Sequence, residues 1–385
     1  MNTNVLLTLI LVELFAGCFY LWVFRQLRAL RKAPSLNLNV NARPCSSNDV
    51  TVVVAARNEA DNLAQCVKSI VNQDSVQKVI IVDDHSTDRT LQVAEKLAST
   101  HPQVAVFSAP DLPAGWTGKS HAMQAGSRHA ASKYILFTDA DVNMKPGIIA
   151  AAWKEMEQRQ LDHLSGQFFL KCGTIFEQIC APAFAASSTI ALFSAAPEKG
   201  SATGAFNMVR SKFYRQCGEH DRIKASVIDD VELAGHLKTC GGKTSYVFLA
   251  DAIAVRLFMG ISGFFRVIYR AALPYLRMRK AASFWKALAF LIVGLATGLP
   301  CAMCLFPQPP GLRIETSGFI ALTIFTYLLG FSCACETKRY HDGHSTWLLF
   351  YPLGMIVMAV AIMYAVACSS AGRSISWRGR YYNPV

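Results

Sequence analysis

Charge is scarce in this 385-residue chain: 17% of its residues are Asp, Glu, Lys or Arg, against about 25% in soluble globular domains. With 52% hydrophobic residues and a mean hydropathy of +0.27, a wholly soluble protein does not fit. Acidic residues are the scarcer sign, 26 against 38 Lys and Arg, for a net charge of +12. An apolar protein with a basic surplus suits a membrane face, and no nucleic-acid partner is expected. Two nucleotide signatures are also missing. Gly118-Lys119-Ser120 looks like the end of a P-loop, but the position five residues before Gly118 is Pro113, so the phosphate cradle is absent. No G-x-G-x-x-G follows the first strand, which removes a dinucleotide site. Several of the 12 cysteines, including Cys333-x-Cys335, lie in apolar runs where Cys acts as a small hydrophobe, so neither structural zinc nor disulfides are expected.

Long hydrophobic runs are present at both ends. Val5 to Phe24 is nearly all apolar, about the 20 residues that cross a hydrocarbon core. No small-residue cleavage site follows it, and Arg25, Arg28, Arg31 and Lys32 do, so residues 1–32 read as an anchor with a basic flank that keeps the next domain in the cytosol. Ala287 to Phe306, Gly318 to Cys335 and Trp347 to Ser369 qualify by length as well, giving three membrane helices over 284–370 and a basic tail over 371–385. The expected protein is multi-pass and integral to the cell inner membrane. Glu13 sits mid-span and is read as a carboxyl paired with a neighbouring helix or with a water defect. Thr174 to Pro197 is apolar too, but carries Glu177 and Pro182. Crossing there would separate the carboxylates before it from those after it, so it is expected to lie in the interface.

Between the ends, short β-branched runs alternate with helical stretches. Val50 to Ala55, Lys78 to Asp83, Val104 to Phe107 and Tyr134 to Thr138 read as strands, with helices over about 60–72, 90–98 and 119–131. Such alternation predicts an α/β domain with a mostly parallel sheet, whose ligands bind beyond the carboxyl ends of the strands. Carboxylates gather there: Glu59 after the first strand, Asp83 and Asp84 after the second, Asp139 and Asp141 after the fourth.

Strand periodicity would turn Asp139 and Asp141 to one side, where two hard oxygen ligands can hold Mg²⁺ or Mn²⁺; the plain alternative is a pair of turn aspartates. Asp83 would recognise a nucleoside, with helix capping by Ser86 or Asp88 as the local alternative. Asp230, in Asp229-Asp230-Val231-Glu232, is either helix-start acidity or a general base for an attacking hydroxyl.

VVVAARNEADNLAQCVKSI, VIIVDDHSTDRT, GWTGKSHAMQAG, YILFTDADV and IDDVELAGHLK together resemble family 2 glycosyltransferases of the GT-A fold, in particular the membrane-bound hopene-associated and ceramide glucosyltransferase-like enzymes. The resemblance covers residues 50–280. It implies a Rossmann-like GT-A domain using a nucleotide diphospho-sugar donor and a membrane lipid acceptor. Asp83 would then meet the base, Asp139 and Asp141 the Mg²⁺ or Mn²⁺ and the sugar diphosphate, Lys119 a phosphate, and Asp230 would be the catalytic base; Glu59 and Asp84 join the substrate side. The usual Glu before that base is Asp229 here, and the Q-x-x-R-W signature of processive polysaccharide synthases is absent, Arg266 to Arg270 having no Trp. Single transfer to a lipid hydroxyl is therefore expected over polymer synthesis. Transfer to a polyprenol phosphate and membrane-anchored nucleotidyl transfer are the alternatives that share these carboxylates. The basic face of Arg266, Arg270, Arg277, Arg279 and Lys280 suits anionic head groups, or is simply a positive-inside flank.

Overall fold

A computed structural model describes residues 3–36, 38, 49–193, 200–249, 251–305, 317–377 and 379–382. Residues 194–197 of the expected interfacial segment, Phe306, Arg378 and 383–385 lie outside the described residues, as do the side chains of Arg277, Arg279 and Lys280.

The β-branched runs form strands because both of their faces are covered. β1 (Val50–Ala56), β2 (Val76–Asp83), β3 (Val104–Ser108) and β4 (Tyr134–Asp139) pair in parallel in the order β3-β2-β1-β4. Val52, Val53, Val54, Ile80, Ile81 and Ile135 are wholly buried. The helices α2 (Leu63–Val71), α3 (Thr90–Thr100) and α4 (Gly118–Ser127) make the connections. A short strand β5 (Val142–Met144) and α5 (Ile148–Arg159) lead to β6 (His163–Gln167). The sheet then turns mixed. β7 (Asn207–Arg210) runs antiparallel between β4 and β6, and β8 (Thr244–Phe248) adds to β6 in parallel. This is the mostly parallel α/β architecture of a GT-A domain. α7 (Ser211–Gln216) and α8 (Asp229–Thr239) lie between β7 and β8, and β9 (Ile253–Val255) pairs antiparallel with β5.

The chain divides into two compact units. One comprises residues 33–169 and 191–256 and contains the large sheet; the other comprises residues 1–32, 170–190 and 257–385. The second is helical: α1 (Thr3–Ala29), α6 (Ile175–Phe193, to Ile190), α9 (Gly260–Leu305), α10 (Ser317–Glu336) and α11 (Tyr351–Ser370). Arg31 grips Glu336 with two hydrogen bonds of 2.8 and 2.9 Å, pinning α1 to α10. Glu13 accepts from the Thr323 hydroxyl at 3.3 Å, the interhelical partner that a mid-span carboxyl requires.

Five helices are long and apolar enough to cross a membrane: Leu6–Lys32, Ile175–Phe193, Ala281–Gly298, Gly318–Tyr340 and Ser345–Ser370. The sequence reading counted four; Ile175–Phe193 is the addition. Its inner face is firmly packed. Glu177, fully buried, accepts from the Gly173 and Gly260 amides at 2.6 and 2.9 Å. Phe176 and Phe184 meet Phe264 and Phe258 edge to face. A Cβ on Gly354 would stand 2.3 Å from the Ile179 carbonyl, so α11 lies directly against α6. Ile175 remains 53% exposed. α9 departs from expectation in its start: it begins at Gly260, well before the apolar run, because the basic stretch from Arg266 to Lys280 is also helical. Cys301 and Cys304, at a C-x-x-C spacing that the reading above passed over, fall inside its apolar end. The nine cysteines among the described residues that are assessed are free thiols.

Candidate active site

Two strand ends set the rim. In the sheet register Asp83 stands opposite Ala56, and Asp139 opposite Ala55. With β1 between them, the two carboxylates are two strand spacings apart, about 10 Å. The loops after β1 and β2 are tied together: Arg57 Nη1 donates to the carbonyls of Asp84 and His85, and Asn58 Oδ1 accepts from the Thr87 amide at 2.8 Å. Asn58 and His85 both hold φ near +53°, a left-handed backbone that costs free energy and concentrates at functional sites. The residue at the cap of α2 is Asn62.

Asp83 is 4% exposed, and its Oδ2 accepts from the Ser86 amide at 3.2 Å. Its Oδ1 is buried with no hydrogen-bond partner among the described residues. A carboxylate oxygen in that state is costly unless a ligand donor meets it. Asp88 supplies the local turn instead, accepting from the Thr90 amide at 2.9 Å. Glu59 and Asp84 are nearly as buried, Glu59 accepting from Asn62 Nδ2 at 2.9 Å.

A second cluster forms where β4 ends and α8 begins. Lys119 Nζ stands 2.6 Å from Asp139 Oδ1 and 3.3 Å from Asp229 Oδ1. The lysine is brought there by α4, whose start is fixed twice: Thr117 Oγ1 accepts from the Ser120 amide, and the Thr117 amide donates to the Lys224 carbonyl at 2.7 Å, just before α8. Burial lowers the Lys119 pKa, but Asp139, Asp229 and Asp230 outweigh it and hold the ammonium firmly charged. Burial and then the Asp229 charge push Asp230 up to about 6, with Lys119 pulling the other way. Asp230 Oδ1 accepts from the Val231 amide at 2.9 Å. Beneath them His220 is fully buried and held down to about 3, by burial and then by the Lys119 charge. It stays neutral, 2.5 Å from the Tyr214 hydroxyl.

The loop 200–206 locks the cluster. The Asp139 amide donates to the Gly204 carbonyl at 3.1 Å, and a Cβ on Gly204 would fall 2.3 Å from Asp139 Oδ2 and 3.0 Å from Lys119 Nζ. Gly200, with φ +61°, lies against the backbone of α8 at Ala234 and Gly235. Sequence reasoning missed both glycines, whose only signal was the small-residue run Gly200-Ser201-Ala202-Thr203-Gly204-Ala205. It also missed Tyr246, whose phenol pKa is raised by burial and then by the Asp230 charge.

Asp141 requires a correction. β4 ends at Asp139, and Ala140 and Asp141 form a turn before β5, so strand periodicity does not orient the pair. Proximity survives by another route: burial, then Asp141, and further down Asp139 and Glu59, raise the thiol of Cys66, whose Sγ lies 3.5 Å from the Asp139 carbonyl.

No group of three or more His, Cys, Asp or Glu able to hold a metal is found among the described residues. Mg²⁺ and Mn²⁺ need less from the protein, one or two carboxylates with substrate phosphates completing the shell. The donor set fits that: Asp139, Asp229 and Asp230 gather around the ammonium of Lys119, and Asp141 acts with Asp139 on the Cys66 thiol, an excess of negative charge suited to a divalent cation.

The model of glycosyl transferase family 2 matches residues 51–218. Over that stretch, less than half of the chain, the protein is similar to family 2 glycosyltransferases. The stretch contains Asp83, Lys119, Asp139 and Asp141 and stops short of Asp229 and Asp230. 4,4'-Diaponeurosporenoate glycosyltransferase of Staphylococcus aureus strain USA300 is 37% identical over 111 residues, 29% of this chain and 27% of that enzyme; the enzyme of strain bovine RF122 is 36% identical over the same length. The chain thus matches only about a quarter of the length of these relatives. Among solved structures, a mannosyltransferase from Pyrobaculum calidifontis in complex with GDP-Man and Mn²⁺ superposes with a TM-score of 0.50 over 86% of this chain and 97% of that one, at 18% identity. At that identity the likeness establishes the fold.

Proposed function

We propose that the protein is an inverting glycosyltransferase that moves a sugar from a nucleotide diphospho-sugar to a hydroxyl of a membrane lipid, with the catalytic domain in the cytosol. The observation that carries this reading is the meeting of Asp229 and Asp230, at the start of α8, with Asp139 at the end of β4 around the Lys119 ammonium. The five apolar helices and the relative that acts on 4,4'-diaponeurosporenoate support a lipid acceptor.

Asp83 Oδ1 would accept from the nucleoside base. Asp139 and Asp141 would hold the Mg²⁺ or Mn²⁺, which when bound neutralises charge on the departing diphosphate. Lys119 would add a positive charge on the diphosphate side. Asp230 takes the proton from the acceptor hydroxyl as that oxygen attacks the anomeric carbon from the side opposite the diphosphate, so configuration inverts. A carboxyl near 6 suits this role: it is ionised at pH 7, yet basic enough to accept the proton. Base assistance of this kind contributes about 10²- to 10⁴-fold.

The test is turnover of a panel of radiolabelled nucleotide sugars by the detergent-solubilised full chain, with extracted lipids as acceptors. A glycolipid product that carries no phosphate from the donor supports the reading. Nucleoside monophosphate retained on the product would refute it in favour of nucleotidyl transfer, and a product that forms only on polyprenol phosphate would refute the hydroxyl acceptor.

A further inference from the structure

We propose that Lys119 is a built-in counter-cation that holds Asp139 until a donor diphosphate arrives, so that nucleotide and divalent cation load together. This rests on the metal reading above and adds an order of events to it.

Asp139 is occupied on both oxygens. On one side the ammonium stands 2.6 Å from Oδ1; on the other, the backbone of Gly204 comes so close to Oδ2 that a single added carbon would sit 2.3 Å away. A small divalent cation binds carboxylate oxygen at about 2.0–2.1 Å, so a metal on Oδ1 and an ammonium at 2.6 Å from it would be forced together as like charges. One of them must leave. Lys119 is the one able to move: its side chain keeps 27% exposure, and its second contact, to Asp229 Oδ1, is looser at 3.3 Å. It is also in the first turn of α4, and the positive end of a helix dipole favours phosphate. A diphosphate arriving there offers the ammonium new oxygen partners and releases Asp139 to the metal. By linkage, nucleotide then raises cation affinity and cation raises nucleotide affinity by the same factor.

Mn²⁺ binding to the detergent-solubilised full chain, followed by the electron paramagnetic resonance of the free ion, tests this without turnover. Titrations are run without nucleotide and with saturating UDP or GDP. Without nucleotide, Lys119→Met should bind Mn²⁺ at least about tenfold tighter than the wild type, about 1.4 kcal/mol, whereas Lys119→Arg, which keeps a cation at the site, should match the wild type. With nucleotide, Lys119→Met should bind Mn²⁺ no tighter than the wild type, because the ammonium has already left Asp139. Lys119→Gln replaces the Met variant if thermal unfolding shows that variant misfolded. Wild-type Mn²⁺ binding with nucleotide, combined with unchanged or weaker binding by nucleotide-free Lys119→Met, overturns the counter-cation role alone. Absence of Mn²⁺ binding by every form, with either nucleotide, overturns the metal reading and this proposal with it.

Discussion

Lowering the pH from 7 to 5 should cut kcat/KM about tenfold. Asp230 is lifted to about 6 by burial and by the neighbouring Asp229 charge, and a base works only when ionised. A carboxyl at that value is about 90% ionised at pH 7 and about 10% at pH 5, whereas one near 4 would still be about 90% ionised at pH 5 and give a nearly flat profile. The cause can be tested along with the effect. Asp229→Asn removes a like charge and should move the midpoint down; Lys119→Met removes an opposite charge and should move it up. Divalent cation draws the midpoint down as well, so the profile is best taken at the lowest concentration that sustains turnover. Asp230→Asn preserves shape and should lower kcat by at least about 10²-fold with donor binding little changed. A profile flat to pH 5, or an Asp230→Asn enzyme of near-normal rate, would refute the assignment, and Asp229 would become the next candidate.

Three further outcomes follow from the packing around the site. Asp141→Ala should abolish transfer while expression and membrane insertion persist, and full wild-type activity in EDTA would remove the metal from the reading. Gly204→Ala places a carbon 2.3 Å from the present position of Asp139 Oδ2; transfer should fall at least about tenfold as that carboxylate is displaced, and unchanged kinetics would mean that Asp139 tolerates displacement. Glu177→Ala leaves the Gly173 and Gly260 amides without their shared acceptor and should destabilise the helical unit by about 1–3 kcal/mol, read as a lower unfolding midpoint; Glu177→Gln, which can still accept, should lose less.

Which parts were legible in the sequence follows from which physical signals are local. Val52-Val53-Val54 and Ile80-Ile81-Val82 announce strands buried on both faces, and the carboxylates just past them mark the rim before any register is known. Asp83 and Asp139 were found in this way. The ion pair of Lys119 with Asp229 was not, because it depends on the Thr117 amide reaching Lys224 across more than 100 residues. Lys119 had been read as meeting a phosphate, and its ammonium rests on carboxylates. Asp141 was named for a reason that does not hold, since its chain is a turn. Ile175–Phe193 is ambiguous in sequence because composition alone cannot separate a span from an interfacial or packed helix. In the structure its end differs from its body: Phe193 stacks on Phe248 at 4.6 Å and meets Tyr246 edge to face, contacts made to the α/β unit.

The sheet unit is discontinuous in sequence, and that constrains how the enzyme can be dissected. The chain leaves it after Phe169 and returns at Ala191, so Asp83, Lys119, Asp139 and Asp141 are encoded before the excursion, and Gly204, Asp229 and Asp230 after it. A fragment stopped at the first exit would carry Asp83, Lys119 and Asp139 without Asp229 and Asp230, and would lack β7, the antiparallel strand that joins β4 to β6. A fragment extended to Arg256 would keep every site residue but would also carry the apolar helix Ile175–Phe193 away from the helices that cover it. Truncating the other apolar helices therefore leaves this one uncovered on the sheet unit; a designed polar bridge between Phe169 and Ala191 would be needed in its place.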